Sequence, residues 1–194
     1  MRPQITQITQ IFYGQLSVFS KWDTALLHGR SYSAVERLYL VPFVFLLLVN
    51  LSNAQRVRDF TLENTYNEVV SFDEIKGDKV TVIDFWATWC KPCTKAMPKL
   101  NALYKKYKDQ GATIIGISCD GPRSISKVAP VVNSLQIEYP ILKDIDCEVM
   151  NSYQFQAFPT LIILDNEDEI VWVHEGYVTG DDEKIEKAIV DRLK

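Results

Sequence analysis

The stretch that decides the fold reads Thr81-Val82-Ile83-Asp84-Phe85-Trp86-Ala87-Thr88-Trp89-Cys90-Lys91-Pro92-Cys93. Its first half is apolar and rich in β-branched and aromatic residues, a pattern typical of a buried strand. After the two cysteines, apolar side chains recur at helical spacing at Met97, Leu100, Leu103, Tyr104 and Tyr107. The cysteine pair therefore lies where a strand passes into a helix N-terminus. Unpaired N–H groups and the positive end of the helix dipole stabilise a thiolate there, so the pattern favours thiol chemistry.

The sequence Trp86-Ala87-Thr88-Trp89-Cys90-Lys91-Pro92-Cys93 resembles the redox site of the thioredoxin superfamily. Met97-Pro98, Gly116-Ile117-Ser118-Cys119-Asp120 and Phe158-Pro159-Thr160 are similar to the TlpA/ResA-like branch, whose members are extracytoplasmic thiol–disulfide oxidoreductases. The resemblance covers residues 56–194. It implies a thioredoxin-like α/β fold, with a central mixed sheet flanked by helices and a short N-terminal β extension. A bare C-x-x-C pair also suits half of a zinc site, but the flanking strand, tryptophans and helix are more specific.

The resemblance makes Cys90 the nucleophile, because the first cysteine of the pair is the exposed one at the start of the helix. Lys91 adds positive charge nearby, which also favours the thiolate. Cys90 attacks a substrate disulfide, and Cys93 then attacks Cys90 and releases the reduced substrate. The alternatives are a static disulfide and a zinc half-site, for which partner ligands are missing from the sequence.

Asp84 lies six residues before Cys90, and alternation along the strand points its side chain into the core beneath the cysteines. It matches the buried aspartate of thioredoxins. Burial raises the pKa of a carboxyl group, so Asp84 is expected to exchange a proton with Cys93 near neutral pH. Alternatively, Asp84 is structural and is satisfied by a backbone or lysine contact.

Five residues are expected to contact the substrate: Trp89, Lys91, Pro92, Phe158 and Pro159. The resemblance implies a cis Phe158–Pro159 bond that faces the cysteines, with the neighbouring backbone pairing with the substrate chain. The alternative is a trans proline that merely begins a strand. Trp89 is expected to form part of an apolar rim, whereas Trp86 is expected to fill the core. Many TlpA/ResA-like proteins have a glutamate where this chain has Ala96, which weighs against a dedicated role in haem maturation.

Two further cysteines, Cys119 and Cys147, are far apart in the sequence. They could pair, act as extra redox thiols or be buried and free, and we favour buried and free thiols because free cysteine is among the most buried residue types. His174 is the only histidine after residue 54, so we expect no metal site.

Residues 38–49 are almost wholly apolar, but the run is shorter than the ~20 residues that span a bilayer. Small residues at Ser52 and Ala54 predict a signal peptide that is cleaved after Ala54; a short membrane anchor and a buried helix are the alternatives. We expect the translation start to lie nearer Val35 and no lipid-anchored cysteine, since none precedes Cys90. The expected domains are residues 1–54, an N-terminal extension with the signal peptide, and residues 55–194, a thioredoxin-like domain.

Hydrophobic patterns predict further elements after residue 55. Strands are expected at 56–62, 68–72, 80–86, 112–118, 139–142, 160–164 and 170–173. Helices are expected at 73–75, 93–108, 124–135 and 148–155, with a last helix capped by Asp181 or Asp182.

Four basic and two acidic residues precede residue 55, so residues 55–194 carry 17 basic and 23 acidic side chains, a net charge of −6. This balance gives no support to nucleic-acid binding. We expect an extracytoplasmic, monomeric enzyme that needs no bound cofactor, reduces protein disulfides and receives electrons from a membrane thiol–disulfide donor. One alternative is an oxidase or isomerase of the same fold. The other is a metal-binding chaperone that uses Cys90 and Cys93 as ligands.

Overall fold

The computed structural model describes residues 55–194, which contain seven strands and five α-helices. The expected signal peptide, its cleavage site and the start near Val35 lie outside the described residues, and the domain boundary remains a prediction. The strands are β1 Thr61–Asn64, β2 Val69–Ser71, β3 Val80–Trp86, β4 Ala112–Ser118, β5 Ile141–Lys143, β6 Thr160–Leu164 and β7 Ile170–Glu175. The helices are α1 Phe72–Ile75, α2 Lys91–Tyr107, α3 Val128–Ser134, α4 Glu148–Ser152 and α5 Asp181–Leu193.

The strands form one mixed sheet in the order β2-β1-β5-β4-β3-β6-β7. β3 pairs in parallel with β4, and β4 in parallel with β5, whereas β6, β7 and the β1–β2 hairpin add antiparallel pairs. All seven residues of β3 are buried, as expected for a central strand covered on both faces. The mixed sheet confirms the predicted fold class. β3 lies inside the sheet, between β4 and β6, so the cysteine pair that follows it is at the end of an inner strand.

Helices cover both faces of the sheet. α2, α3 and α5 pack on one face, where Val82 and Trp86 of β3 join Met97 and Ile185 in a single apolar cluster. On the other face, Ile83 and Phe85 pack with α1, α4 and the N-terminal segment. Alternation along β3 therefore assigns each side chain to one of two cores, and Asp84 belongs to the same face as Val82 and Trp86.

The predicted strand at 56–62 was wrong in position. The backbone of residues 55–57 bonds to the turn between β6 and β7, through Val57 N–H to Asp168 O (2.8 Å) and Ile170 N–H to Gln55 O (2.9 Å). β1 begins only at Thr61. The apolar residues of the segment are nevertheless used, since Val57, Phe60 and Leu62 all pack in the same core. Val57 and Phe60 are three residues apart, so the segment does not alternate strictly as a strand would.

Several predicted helix boundaries also differ from the structure. α2 begins at Lys91 rather than residue 93, with Pro92 in the first turn, where a missing N–H disrupts no helical bond. The predicted helix at 124–135 divides into a 3₁₀ turn, Ile125–Lys127, and α3. The predicted aspartate cap of the last helix was wrong, because Gly180 occupies that position with a φ of 97°. No helix in the described part of the chain is long and apolar enough to cross a membrane.

Candidate functional site

The two cysteines of the C-x-x-C pair are joined by a disulfide, with their Cα atoms 5.3 Å apart. Cys90 is the N-cap of α2, and its Sγ accepts a hydrogen bond from the Cys93 N–H at 3.2 Å. Cys90 is 5% exposed, whereas Cys93 is completely buried. A substrate therefore meets Cys90 first, and Cys93 is reached only through it.

The charges around Cys90 favour an anionic sulfur. The first turn of α2 contains no acidic residue, and Lys91 is its first residue. The helix N-terminus adds partial positive charge and an N–H donor already aimed at Cys90 Sγ. Surroundings of this kind generally favour the thiolate form of a cysteine over the thiol.

Asp84 is completely buried in β3, and neither of its carboxylate oxygens has a hydrogen-bond partner among the described residues. Burial raises the pKa of this carboxyl group from 3.8 to about 7. Asp84 belongs to the sheet face on which Cys93 packs. No backbone or lysine contact satisfies it in residues 55–194, so the structural alternative has no support there.

Three buried polar groups without partners lie close together around Gly116. Gly116 is opposite Asp84 in the β3–β4 pairing. A Cβ at Gly116 would stand 3.3 Å from Trp86 Nε1 and 3.1 Å from the ring of Tyr139. Trp86 Nε1 and the Tyr139 hydroxyl, like Asp84, have no partner in the described part of the chain. Burial, and then the charge of Asp84, raise the pKa of Tyr139 well above its usual value.

Two aromatic side chains flank the redox pair. Trp89 is 62% exposed, and its ring meets that of Phe158 edge to face, with the centroids 5.3 Å apart. The Phe158–Pro159 bond is cis, as expected, and Pro159 is buried directly before β6. Trp86 is completely buried, as predicted. The exposed Trp89 edge thus stands next to the loop expected to pair with the substrate.

Sequence reasoning did not assign a role to Asp120, which holds the loop before Cys90. The buried Asp120 carboxylate accepts bonds from the Thr88 N–H at 2.8 Å and the Thr88 hydroxyl at 2.6 Å, and one from the Ser118 hydroxyl at 2.9 Å. Asp120 lies just beyond β4 at the carboxyl edge of the parallel strands, where ligand-binding side chains commonly collect. Its position directly after a predicted strand was the sequence signal that could have identified Asp120.

Cys119 and Cys147 are both free. Cys119 is buried, as expected, and its Sγ lies 3.8 Å from Met150 Sδ. Cys147 is only partly buried, so the expectation holds less well for this residue.

His174 contacts the Asp181 carboxylate at 3.0 Å. No cluster of His, Cys, Asp or Glu side chains suited to a metal ion occurs within residues 55–194. A surface cavity of about 690 Å³ in the described part of the chain is lined by the N-terminal segment and α4, and no residue of the redox site lines it.

Residues 54–173 match the AhpC/TSA family, and this match covers more than half of the chain. The thiol–disulfide oxidoreductase ResA of Halalkalibacterium halodurans is 34% identical over 121 residues, 62% of this chain and 67% of the relative. The thioredoxin-like protein YneN of Bacillus subtilis is 34% identical over 132 residues, 68% of this chain and 76% of the relative.

Solved structures share the fold. The thioredoxin domain of a thiol-disulfide oxidoreductase from Bacteroides vulgatus is 26% identical, with a TM-score of 0.61; the match covers 75% of this chain and all of that one. A Chlorobium tepidum protein assigned as the thiol:disulfide interchange protein DsbE is 25% identical, with a TM-score of 0.67 and the same coverage. The sequence resemblance to thioredoxin-like oxidoreductases is therefore confirmed.

Proposed function

Since the chain belongs to the AhpC/TSA family and is a thioredoxin-like thiol–disulfide oxidoreductase, we propose that it reduces protein disulfides outside the cytoplasm through Cys90 and Cys93. The observation that carries the proposal is the arrangement of the pair. Cys90 caps α2 and is 5% exposed, Cys93 is completely buried, and Asp84 lies on the same sheet face.

The reaction begins with the reduced pair. The Cys90 thiolate attacks one sulfur of a substrate disulfide, forming a mixed disulfide and releasing the other substrate sulfur as a thiolate. Cys93 then loses its proton and attacks Cys90 Sγ, which breaks the mixed disulfide. Two electrons have moved to the substrate, whose two sulfurs leave as thiolates and are protonated from solvent, and the Cys90–Cys93 disulfide has formed. The proton of Cys93 has passed to a base.

Asp84 is the proposed base for the second step. Its raised pKa of about 7 places it close to half-ionised at neutral pH, so it can accept the Cys93 proton when charged and return it when the pair is reduced again. No other titratable side chain of β3 is available on that face. The role of Asp84 is thus to hold a proton next to a thiol that solvent does not reach.

The substrate side is formed by Trp89, Lys91, Pro92, Phe158 and Pro159. Exposed aromatic surface at Trp89 offers apolar contact, and the backbone beside Pro159 is proposed to pair with the substrate chain in an extended conformation. The extracytoplasmic location rests on the apolar run at residues 38–49 and the small residues that follow it. A membrane thiol–disulfide protein is the proposed source of electrons, and the enzyme is proposed to act as a monomer.

The experiment that tests the direction is a redox titration of the Cys90–Cys93 pair in a defined thiol buffer. A potential near about −250 mV or lower supports a reductase, since thioredoxin lies near about −270 mV. A potential near about −120 mV contradicts it and indicates an oxidase. The location is tested separately: protein recovered from its native host with Met1 intact would contradict the predicted cleavage after Ala54.

A further inference from the structure

A groove of about 440 Å³ opens beside the redox pair, between the start of α2 and the loop that precedes α5. Three lysines spaced four residues apart on α2 line one wall: Lys91, Lys95 and Lys99. The facing wall is formed by Tyr177, Val178, Thr179 and Asp182. We refer to this feature as the lysine groove.

The charge of the lysine groove is opposite to that of the domain. Its lining carries three lysines and one carboxylate, a charge of +2, whereas residues 55–194 carry −6. Lys99 stands 3.7 Å from Asp182. Lys91 and Lys95 are exposed, and neither forms an ion pair within the described residues. Two of the three charges are therefore available to a ligand.

The backbone adds to this positive field. The groove begins at the N-terminus of α2, where the helix dipole attracts negative charge. Lys91 repels that same helix end, so this lysine does not favour the stability of α2. A carboxylate in the groove, in contrast, is attracted by the lysines and by the helix N-terminus together.

Apolar surface lies at the rim of the lysine groove and beside the cysteines. Val178 is 66% exposed on the facing wall, and Trp89 is 62% exposed next to Cys90. Large apolar side chains left in water next to a charged groove are typical of surfaces that bind a polypeptide. The groove is therefore suited to a peptide with mixed apolar and acidic side chains.

We infer that the lysine groove binds an acidic, extended segment of the substrate polypeptide, close to the cysteine that Cys90 attacks. This inference rests on the proposed function, in which protein disulfides are the substrates. Lys91 and Lys99 are two helical turns apart, about 12 Å, which equals about four residues of extended chain. The acidic residues of a substrate accordingly lie within about four positions of its reactive cysteine.

The test uses the full-length protein and three synthetic peptides of equal length. Each contains the same intramolecular disulfide with four flanking residues. These are aspartate and glutamate in the acidic peptide, glutamine and serine in the neutral peptide, and lysine in the basic peptide. We expect kcat/KM to be about tenfold higher for the acidic than for the basic peptide at low salt, and the ratio to fall towards one as salt is raised. In the double variant Lys91→Gln, Lys95→Gln the ratio should fall to about two.

The matched control is Lys108→Gln, Lys187→Gln, which removes two exposed lysines that do not line the groove and should keep the full ratio. Changes in Cys90 reactivity caused by Lys91→Gln affect all peptides alike, so the ratio isolates recognition. Equal kcat/KM values for the three peptides, or an unchanged ratio in the groove variant, would overturn the inference. The reduced peptides are also offered to the oxidised protein: an acidic preference seen only in that direction contradicts the proposed reductase but supports the groove.

Discussion

Asp84 and Gly116 lie opposite each other in the parallel pair formed by β3 and β4, and the glycine leaves space for two large aromatic side chains beside the carboxyl group. A Cβ at Gly116 would approach the Tyr139 ring to 3.1 Å and Trp86 Nε1 to 3.3 Å. Asp84, Trp86 and Tyr139 thus share a buried region in which none of their side-chain polar atoms has a partner within residues 55–194. Four of the following predictions concern this region.

The first prediction concerns stability and pH. Because the pKa of Asp84 is raised from 3.8 to about 7, the folded protein retains a proton that the unfolded chain has lost between about pH 4 and pH 7. Stability is therefore lost as the pH rises through 7. The difference in the free energy of unfolding between Asp84→Asn and wild type should therefore rise by roughly 2–3 kcal/mol, in favour of the variant, from pH 5 to pH 8. Urea unfolding of the oxidised proteins measures this, with the exposed Asp109→Asn as control.

A gain that does not change with pH would mean that Asp84 is already charged in the folded protein throughout this interval. Asp109→Asn controls for the replacement of one carboxylate by an amide, because Asp109 is exposed.

The second prediction concerns catalysis. Asp84→Asn should slow the attack of Cys93 on the mixed disulfide roughly 100-fold at pH 7, since the buried thiol loses its base. Rapid-mixing measurements of substrate release report this step. In a Cys93→Ser background, which stops the reaction at the mixed disulfide, the same substitution should leave the first attack by Cys90 largely unchanged. Equal effects on both steps would assign Asp84 an electrostatic role at Cys90 instead.

The third prediction concerns Gly116. Gly116→Ala places a methyl group 2.6 Å from Ile141 Cδ1 and close to both aromatic rings, so we expect a loss of about 1–3 kcal/mol in the free energy of unfolding. Gly121→Ala is the control, because a Cβ there meets nothing closer than 4.0 Å. Similar unfolding midpoints in urea for the two variants would show that the region can expand without strain.

The fourth prediction concerns the Tyr139 hydroxyl. This group is buried and unpaired in the described part of the chain, so removing it should relieve a desolvation cost. Tyr139→Phe is expected to be neutral or to stabilise the protein by up to about 1 kcal/mol in urea unfolding at pH 5, where Asp84 is protonated. A clear loss of stability would reveal that the hydroxyl has a hydrogen-bond partner in solution, with Asp84 the first candidate.

The fifth prediction concerns the loop before Cys90. Thr88→Val removes the hydroxyl that donates to Asp120 at 2.6 Å and leaves a buried carboxylate short of one donor, which should cost about 1.5–3 kcal/mol. Thr88→Ser retains the donor and serves as the matched control. Thermal unfolding of both variants tests this. A loss in Thr88→Val that is no larger than the loss in Thr88→Ser would contradict a dominant contribution from the hydrogen bond.

Local sequence was sufficient to predict the redox pair and the elements next to it. The run before Cys90 is apolar apart from Asp84 and two threonines, and the helical spacing after Cys93 is regular, so both sides of the pair are determined by nearby residues. The burial of Asp84 followed from alternation along the same strand. The β6–β7 hairpin was predicted from two apolar runs that flank a short polar turn, and the antiparallel pairing of the two strands confirms it.

Features that depend on distant residues could not be predicted in this way. The alternating segment at 56–62 satisfies its backbone on a turn more than 100 residues later, as Val57 and Asp168 show. Similarly, the Thr88–Asp120 contact and the position of Tyr139 beside Gly116 arise only when parallel strands are brought together. Asp181 was expected as a helix cap, but its carboxylate instead accepts the Val178 N–H and contacts His174 and Lys184.

The bonds of Gln55 and Val57 to the β6–β7 turn determine where the chain enters the domain. β6 runs antiparallel to β3, with Leu164 beside Thr81, so this turn lies at the end of the sheet remote from Cys90. The length of β3 separates the two ends by about 20 Å. A tether joined at residue 55 would therefore hold the domain at the end of the sheet remote from the redox pair, and would leave the end that carries Cys90 facing away from the point of attachment.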